Sequence, residues 1–164
     1  MKYASLLMLL LACSKKSEPA PVEPPRANVA APVAAPAVGN KVELNNISVM
    51  PKGVTQVRLA WSIPKGTALN EEAPVKVRWH SSDGLASAPE DQIVTGNKLK
   101  DGVPLGIELT GGPSASLTGT IKLVVCDDVN HAVCVPVTRD IKLGFVPNGQ
   151  GQSVTVPLSL PSAK

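Results

Sequence analysis

The chain has very few aromatic side chains. Two tryptophans, one tyrosine and one phenylalanine make up 2% of its 164 residues, so a surface that stacks nucleic-acid bases on aromatic rings is not expected. The net charge is also small, at +3 with 16 basic and 13 acidic residues. No basic stretch is interleaved with aromatics, and these shortages together argue against nucleic acid as a partner.

The sequence also lacks an apolar run long enough to span a bilayer, which takes about 20 residues. Its N-terminal apolar run covers only residues 3–11 and follows Met1 and Lys2. A short apolar segment between a positive charge and a small residue, here Ala12, is the pattern of a cleaved signal peptide. We therefore expect residues 1–12 to be a targeting segment and not part of the fold.

The segment Leu10-Leu11-Ala12-Cys13 resembles the lipobox of bacterial lipoproteins. In that family the signal peptide is cut before the cysteine, which then carries the lipid. The resemblance implies that Cys13 is lipidated and that the lipid attaches the protein to a membrane. Ser14 stands where an aspartate would retain a lipoprotein in the inner membrane, so the resemblance favours the periplasmic side of the outer membrane. An ordinary signal peptide with an incidental cysteine is the alternative.

Long helices are not expected, because 16 prolines and 13 glycines are spread along the chain and both residues are costly inside a helix. Six of these prolines lie within residues 14–40, among alanines and valines. Such a segment buries too little apolar area to fold and favours an extended spacer. We therefore expect a linker over residues 13–40 and a folded domain over residues 41–161.

From Lys41 onward, apolar residues alternate with polar ones, which is the period of a half-buried β-strand. We count about eight short strands and no convincing helix, with a loop over residues 81–91. This spacing predicts an all-β fold, an immunoglobulin-like β-sandwich. Trp61 and Trp79 lie on the apolar sides of their strands and are expected to anchor the core. Pro104 indicates that its strand lies at a sheet edge.

The chain has only three cysteines. If Cys13 carries a lipid, Cys126 and Cys134 remain as a pair in an exported protein, where disulfides persist. Each cysteine abuts a strand-like segment, so the pair predicts a β-hairpin with a sulfur at the inner end of each strand. Directly opposed residues of such a hairpin have Cβ atoms about 4.5–5.5 Å apart, slightly more than the roughly 3.5–4.5 Å of a disulfide, so a Cys126–Cys134 bridge is feasible with some strain.

Such a bridge closes a ring of nine residues and contributes about 2.6 kcal/mol in the chain-entropy model. The strand ladder already holds these neighbours together, so the bridge adds little as a staple, and redox use is favoured. A structural disulfide is the alternative. The loop leaves the thiol chemistry open, because Asp127 and Asp128 would raise a thiol pKa whereas a protonated His131 would lower it.

The same loop also contains residue types that bind zinc. Cys126, His131, Cys134 and one aspartate offer four ligands, but their spacing matches no strong zinc signature. The sequence therefore predicts neither a metal nor a cofactor.

Three segments carry a resemblance to a known family. They are Ile63-Pro64-Lys65-Gly66, Leu69-Asn70-Glu71-Glu72-Ala73-Pro74, and the strand ending at Cys126 together with Cys134-Val135-Pro136. Over about residues 54–143 the chain resembles the N-terminal periplasmic domain of the DsbD thiol–disulfide interchange proteins, which is immunoglobulin-like. The resemblance implies that Cys134 is the attacking thiol and Cys126 the resolving one. It also implies a thioredoxin-like or DsbD-like protein as the partner.

Two functions follow from the sequence. The first is a membrane-anchored periplasmic lipoprotein that takes part in thiol–disulfide exchange, or docks with a thiol-redox partner, through Cys126 and Cys134. The alternative is a non-catalytic envelope binding or scaffolding module with a structural disulfide. Whether the protein is an enzyme stays open.

Overall fold

The computed structural model describes residues 40–163. The predicted signal peptide, Cys13 and the predicted linker up to residue 39 lie outside the described residues. Among the residues that are described, no helix is long and apolar enough to cross a membrane.

The described chain consists of strands and one short helical segment. A 3₁₀ helix, Gly96–Asp101, lies between the fifth and sixth strands. The strands are β1 (Lys41–Ser48), β2 (Val54–Ser62), β3 (Thr67–Leu69), β4 (Val75–Asp83), β5 (Gln92–Val94), β6 (Val103–Glu108), β7 (Ala115–Asp127), β8 (Cys134–Val146) and β9 (Ser153–Ser159).

Two local predictions were wrong and one strand was missed. Residues 40–163 form nine strands, close to the expected count of about eight; the missed strand is β3, whose three residues show no period of two. The 3₁₀ helix was not expected at all. Strand β4 continues to Asp83, through residues that were expected to start a loop, because its polar end pairs with β7 as far as Ser116.

The strands form two sheets. The larger one has the order β1-β8-β7-β4-β5, with β3 also pairing with β7, and the smaller one has the order β6-β2-β9. In immunoglobulin terms β8-β7-β4 correspond to strands G-F-C, β5 to C′, and β2 and β6 to the neighbours B and E. The predicted all-β sandwich is confirmed, and Pro104 lies in the edge strand β6 as predicted.

The core consists of the inward-facing aliphatic residues of both sheets and the only phenylalanine of the chain. Phe145 is fully buried on β8, together with Leu117 on β7 and Leu59 on β2. Trp61 and Trp79 pack against this core but are only partly buried, and the Trp61 indole N–H donates to the Leu99 carbonyl of the 3₁₀ helix. The tryptophans therefore lie at the margin of the core.

Gly119 of β7 occupies a position where no side chain fits. A Cβ atom there would lie 2.6 Å from Trp79 Cε3 and 2.7 Å from the backbone oxygen of Arg78. Because the backbone of β4 cannot give way without breaking its ladder, we expect Gly119→Ala to destabilise the fold by about 1–3 kcal/mol, as overpacked sites do. Chemical denaturation with matched m-values measures this loss.

Gly106→Ala is the matched control, since Gly106 is also a strand glycine and its added Cβ would meet only side chains, Val54 at 3.4 Å and Gln56 at 3.9 Å. Equal free energies of unfolding for the two variants would contradict the close contact between Gly119 and β4.

Candidate functional site: the disulfide at the tip of the β7–β8 hairpin

Strands β7 and β8 form a hairpin of two 13-residue strands with an unbroken register. Cys126 is paired with Cys134, and the next pair of the same face, Val124 and Pro136, follows directly. The β-hairpin with a sulfur at the inner end of each strand, predicted from the sequence, is confirmed.

Cys126 and Cys134 form a disulfide with an S–S distance of 2.03 Å and a Cα–Cα distance of 4.1 Å. The backbone N–H of Asp127 donates to the carbonyl of Val133 at 3.0 Å, immediately beside the bridge. The cysteines therefore occupy a non-hydrogen-bonded pair of the ladder, the kind of position where opposed side chains come closest. The predicted disulfide is present.

The two sulfur-bearing residues differ in exposure. Cys126 has a relative exposure of 0%, whereas Cys134 is exposed. The strand neighbours explain the difference: Cys126 is flanked by Ala68 of β3 on one side and by Cys134 on the other. Cys134 has a neighbour only on β7, because β1 begins to pair with β8 at Asp140. Solvent therefore reaches Cys134, whereas Cys126 is covered.

Strand β3 is held beside Cys126 by hydrogen bonds at both of its ends. The Thr67 N–H donates to the Pro64 carbonyl at 3.2 Å, and the Asn70 N–H donates to Val124 of β7 at 3.0 Å. The C-terminal part of the chain adds a further bond, in which the Ala163 N–H donates to the Thr67 hydroxyl at 3.2 Å. Two of the segments that carried the family resemblance, residues 63–66 and 69–74, therefore adjoin or overlap the strand that pairs with Cys126.

Sequence reasoning missed this strand, although two turn signals flank it. Gly66 has a φ of +83°, which favours glycine. The side chain of Asn70 accepts hydrogen bonds from the backbone N–H groups of Glu72 and Ala73, a turn typical of asparagine.

The loop between the cysteines is organised by the carboxylate of Asp127. Its Oδ1 accepts from the backbone N–H of Asn130 at 3.1 Å and of Val129 at 3.3 Å, and its Oδ2 accepts from Val133 at 2.9 Å. These bonds, first the one from Val133 and then the one from Asn130, lower the pKa of Asp127. The sequence suggested only that this charge would oppose a thiolate; the structure shows that it also pins the loop.

His131 approaches the disulfide through its backbone. Its φ of +55° is a left-handed conformation, and its carbonyl oxygen lies 3.6 Å from the Sγ of Cys134. Since the two sulfurs are joined, neither is a thiolate ligand in this oxidation state. Residues 40–163 contain no group of three or more potential ligands that could hold a metal.

Apolar side chains are unusually exposed around Cys134. Val129 is 87% exposed, Val133 55% and Val135 39%. Beside this tip lies a groove of about 500 Å³ between the ends of β2 and β3, whose lining includes Trp61, Ile63, Pro64, Ala68 and Asp128. An exposed cysteine among exposed valines is suited to contact with another protein, because exposed apolar patches mark interaction sites.

No protein-family model matches the chain, and no curated protein matches it. The function is therefore inferred from the residues of the hairpin and their geometry.

We expect Asp127→Asn to loosen the loop, because an amide offers one acceptor oxygen where the carboxylate uses two. Since the folded-state pKa of Asp127 lies below its ordinary value of 3.8, its stabilising contribution is present above about that pH and is lost as the pH falls through the lowered value. Amide hydrogen exchange at Val133 is expected to speed up several-fold at neutral pH in the variant.

Asp128→Asn is the control, because it removes the same charge from a neighbouring carboxylate that is exposed. If both variants accelerate exchange at Val133 equally, the loop is held by general electrostatics and not by the Asp127 hydrogen bonds.

Proposed function

We propose that the protein exchanges thiols and disulfides with a protein partner through Cys134 and Cys126. The observation that carries the proposal is the unequal exposure of the two joined residues, Cys134 exposed and Cys126 at 0%. Exchange proceeds by attack of a thiolate on one disulfide sulfur, so access decides which sulfur is attacked. A bridge with one accessible sulfur gives the two cysteines different roles.

In the reductive direction, a partner thiolate attacks the Sγ of Cys134. The Cys126–Cys134 bond breaks, a mixed disulfide forms between Cys134 and the partner, and Cys126 leaves as a thiolate that takes up a proton. A second partner thiolate then attacks the partner sulfur of the mixed disulfide and releases Cys134. The protein ends as a dithiol, and the partner ends with a disulfide.

In the opposite direction, the Cys134 thiolate attacks a disulfide of the partner, and Cys126 resolves the mixed disulfide. The resolving step benefits from the ladder, which holds the two Cα atoms 4.1 Å apart and makes the attack intramolecular. The Asp127 hydrogen bonds keep the loop closed, so Cys126 and Cys134 stay opposed when the bond between them is broken.

A purely structural role accounts for less of the arrangement. The bridge joins strands that already share a ladder from Ala115–Phe145 to the tip, and the buried core residues Leu123 and Val125 hold β7 in place beside Cys126 without the bridge. A scaffolding module with an inert bridge is the competing function, and the reduction potential separates the two.

The protein also acts, in this proposal, at a membrane surface. A lipid on Cys13 would attach it to the periplasmic side of the outer membrane. Residues 14–40 would extend over up to about 80 Å at polyproline II spacing before β1 begins at Lys41. Such a spacer lets the hairpin tip meet partners away from the bilayer.

Equilibration of the full chain with glutathione redox buffers tests the exchange function. Structural disulfides of secreted proteins have potentials below about −300 mV, and we expect a less negative potential for the Cys126–Cys134 pair. A value below that limit would remove the redox proposal and leave the scaffolding function.

Trapping provides a second test. We expect Cys126→Ala to accumulate a mixed disulfide on Cys134 with a disulfide-containing envelope protein, because the resolving thiol is missing. Peptide mass mapping assigns the adduct to Cys134 and separates it from any on Cys13. Cys134→Ala is the matched control and should form no adduct on the buried Cys126; equal trapping by both variants would contradict the assigned roles.

Membrane attachment is tested with Cys13→Ser. We expect the chain with Cys13 to partition into the detergent phase of a two-phase extraction. The variant should partition into the aqueous phase, because it lacks the sulfur that would carry the lipid. If the variant partitions in the same way as the chain with Cys13, lipidation at Cys13 is excluded.

A further inference from the structure

Three cations gather on the outward face of the larger sheet. Lys76 of β4 is directly opposite Lys122 of β7, and Arg78 follows Lys76 on the same face, opposite Thr120. All three basic side chains are exposed. We call Lys76, Arg78 and Lys122 the cationic cluster.

The cationic cluster has no direct salt bridge within the described part of the chain. Within residues 40–163 none of its members forms an ion pair with a carboxylate. Two acids lie near the cluster and make hydrogen bonds of their own: Asp91, just before β5, accepts from the Trp79 backbone N–H at 2.9 Å, and Asp140 of β8 accepts at 3.2 Å from the hydroxyl of Thr120, which lines the same cavity. Residues 40–163 have eight lysines and three arginines against six aspartates and five glutamates, so the excess is local.

This arrangement costs stability in the isolated protein, because like charges directly opposite on neighbouring strands repel. The side chains surround a surface cavity of about 180 Å³, lined by Lys76, Arg78, Lys122 and Thr120. Guanidinium and ammonium groups around one depression fit carboxylates. The repulsion between Lys76 and Lys122 would be relieved by a negatively charged group placed between them.

The cationic cluster lies on the same side of the hairpin as the disulfide. Along β7, Lys122, Val124 and Cys126 are successive residues of one face, and on β8 they oppose Thr138, Pro136 and Cys134. Four residues of strand separate Lys122 from Cys126, which is about 13 Å. Val124, half-buried, and Pro136, exposed, lie between them. One partner surface can therefore cover both the cluster and the accessible sulfur.

We propose that the cationic cluster is the docking site for a protein partner that has carboxylates about 13 Å from its reactive cysteine. The inference rests on the proposed exchange at Cys134, and it adds the charge and spacing that the partner must have. Complementary charge mainly raises the rate of association. The partner's acids would therefore determine how fast its cysteine reaches Cys134.

Synthetic peptides provide the test. Two extended peptides each contain one cysteine, joined in a disulfide to thionitrobenzoate. A run of three glutamates in one peptide, or of three glutamines in the other, begins four residues from that cysteine. The reduced full chain is mixed with each, and the released thionitrobenzoate reports the second-order rate constant. The Cys134→Ser chain gives the background from Cys13 and Cys126.

We expect the glutamate peptide to react roughly tenfold faster at low ionic strength, within the range of electrostatic steering. The preference should shrink at high salt, which screens exposed charges. It should disappear in Lys76→Gln/Lys122→Gln, a variant expected to fold because it removes a repulsion. The control Lys52→Gln/Arg58→Gln removes the same charge from exposed positions outside this sheet and should keep the preference.

The failures are distinguishable. If neither peptide reacts above background, the exchange at Cys134 is wrong and the docking site falls with it. If both react at the same rate, exchange stands and the docking site is overturned. If the control loses the preference as fully as Lys76→Gln/Lys122→Gln, net charge and not the cluster is responsible, which also overturns it.

A membrane is the competing partner for a cationic face. Vesicles rich in phosphatidylglycerol provide that arm: binding that is lost in Lys76→Gln/Lys122→Gln, with no preference between the peptides, would assign the cluster to anionic lipid and overturn protein docking.

Discussion

The register of the β7–β8 ladder is the constraint on which the other features of the molecule depend. Twelve successive pairs run from Ala115–Phe145 to Cys126–Cys134 without a bulge. A slip of one residue would move every side chain of one strand to the opposite face. Burial of Phe145 at one end therefore fixes the opposition of the two sulfurs at the other, and the sandwich core and the disulfide specify the same alignment.

The difference between the two cysteines arises from the lengths of the flanking strands. Strand β3 covers β7 at the tip, and β1 covers β8 only from Asp140 onward. The first residues of β8 therefore form an open edge beside a protected cysteine. The difference in exposure needs no special property of sulfur, because β3 and β1 pair with different parts of the same hairpin.

The sequence predicted the sandwich and the hairpin register because an apolar period of two survives over strands as long as β7 and β8. It did not predict β3, since three residues contain no period and the strand exists only through bonds such as Asn70 to Val124. The prediction for Asp127 was incomplete for a similar reason, because its hydrogen bonds to backbone amides depend on a loop conformation that composition does not encode. The cationic cluster was invisible because Lys76 and Lys122 meet only after β4 pairs with β7.

The hydrogen bond from Ala163 to Thr67 brings the far end of the folded chain to the strand that shields Cys126. Ala163 and Thr67 are both buried, at 5% and 6% exposure. A tag or fusion partner attached after residue 163 would therefore emerge beside the strand that covers Cys126.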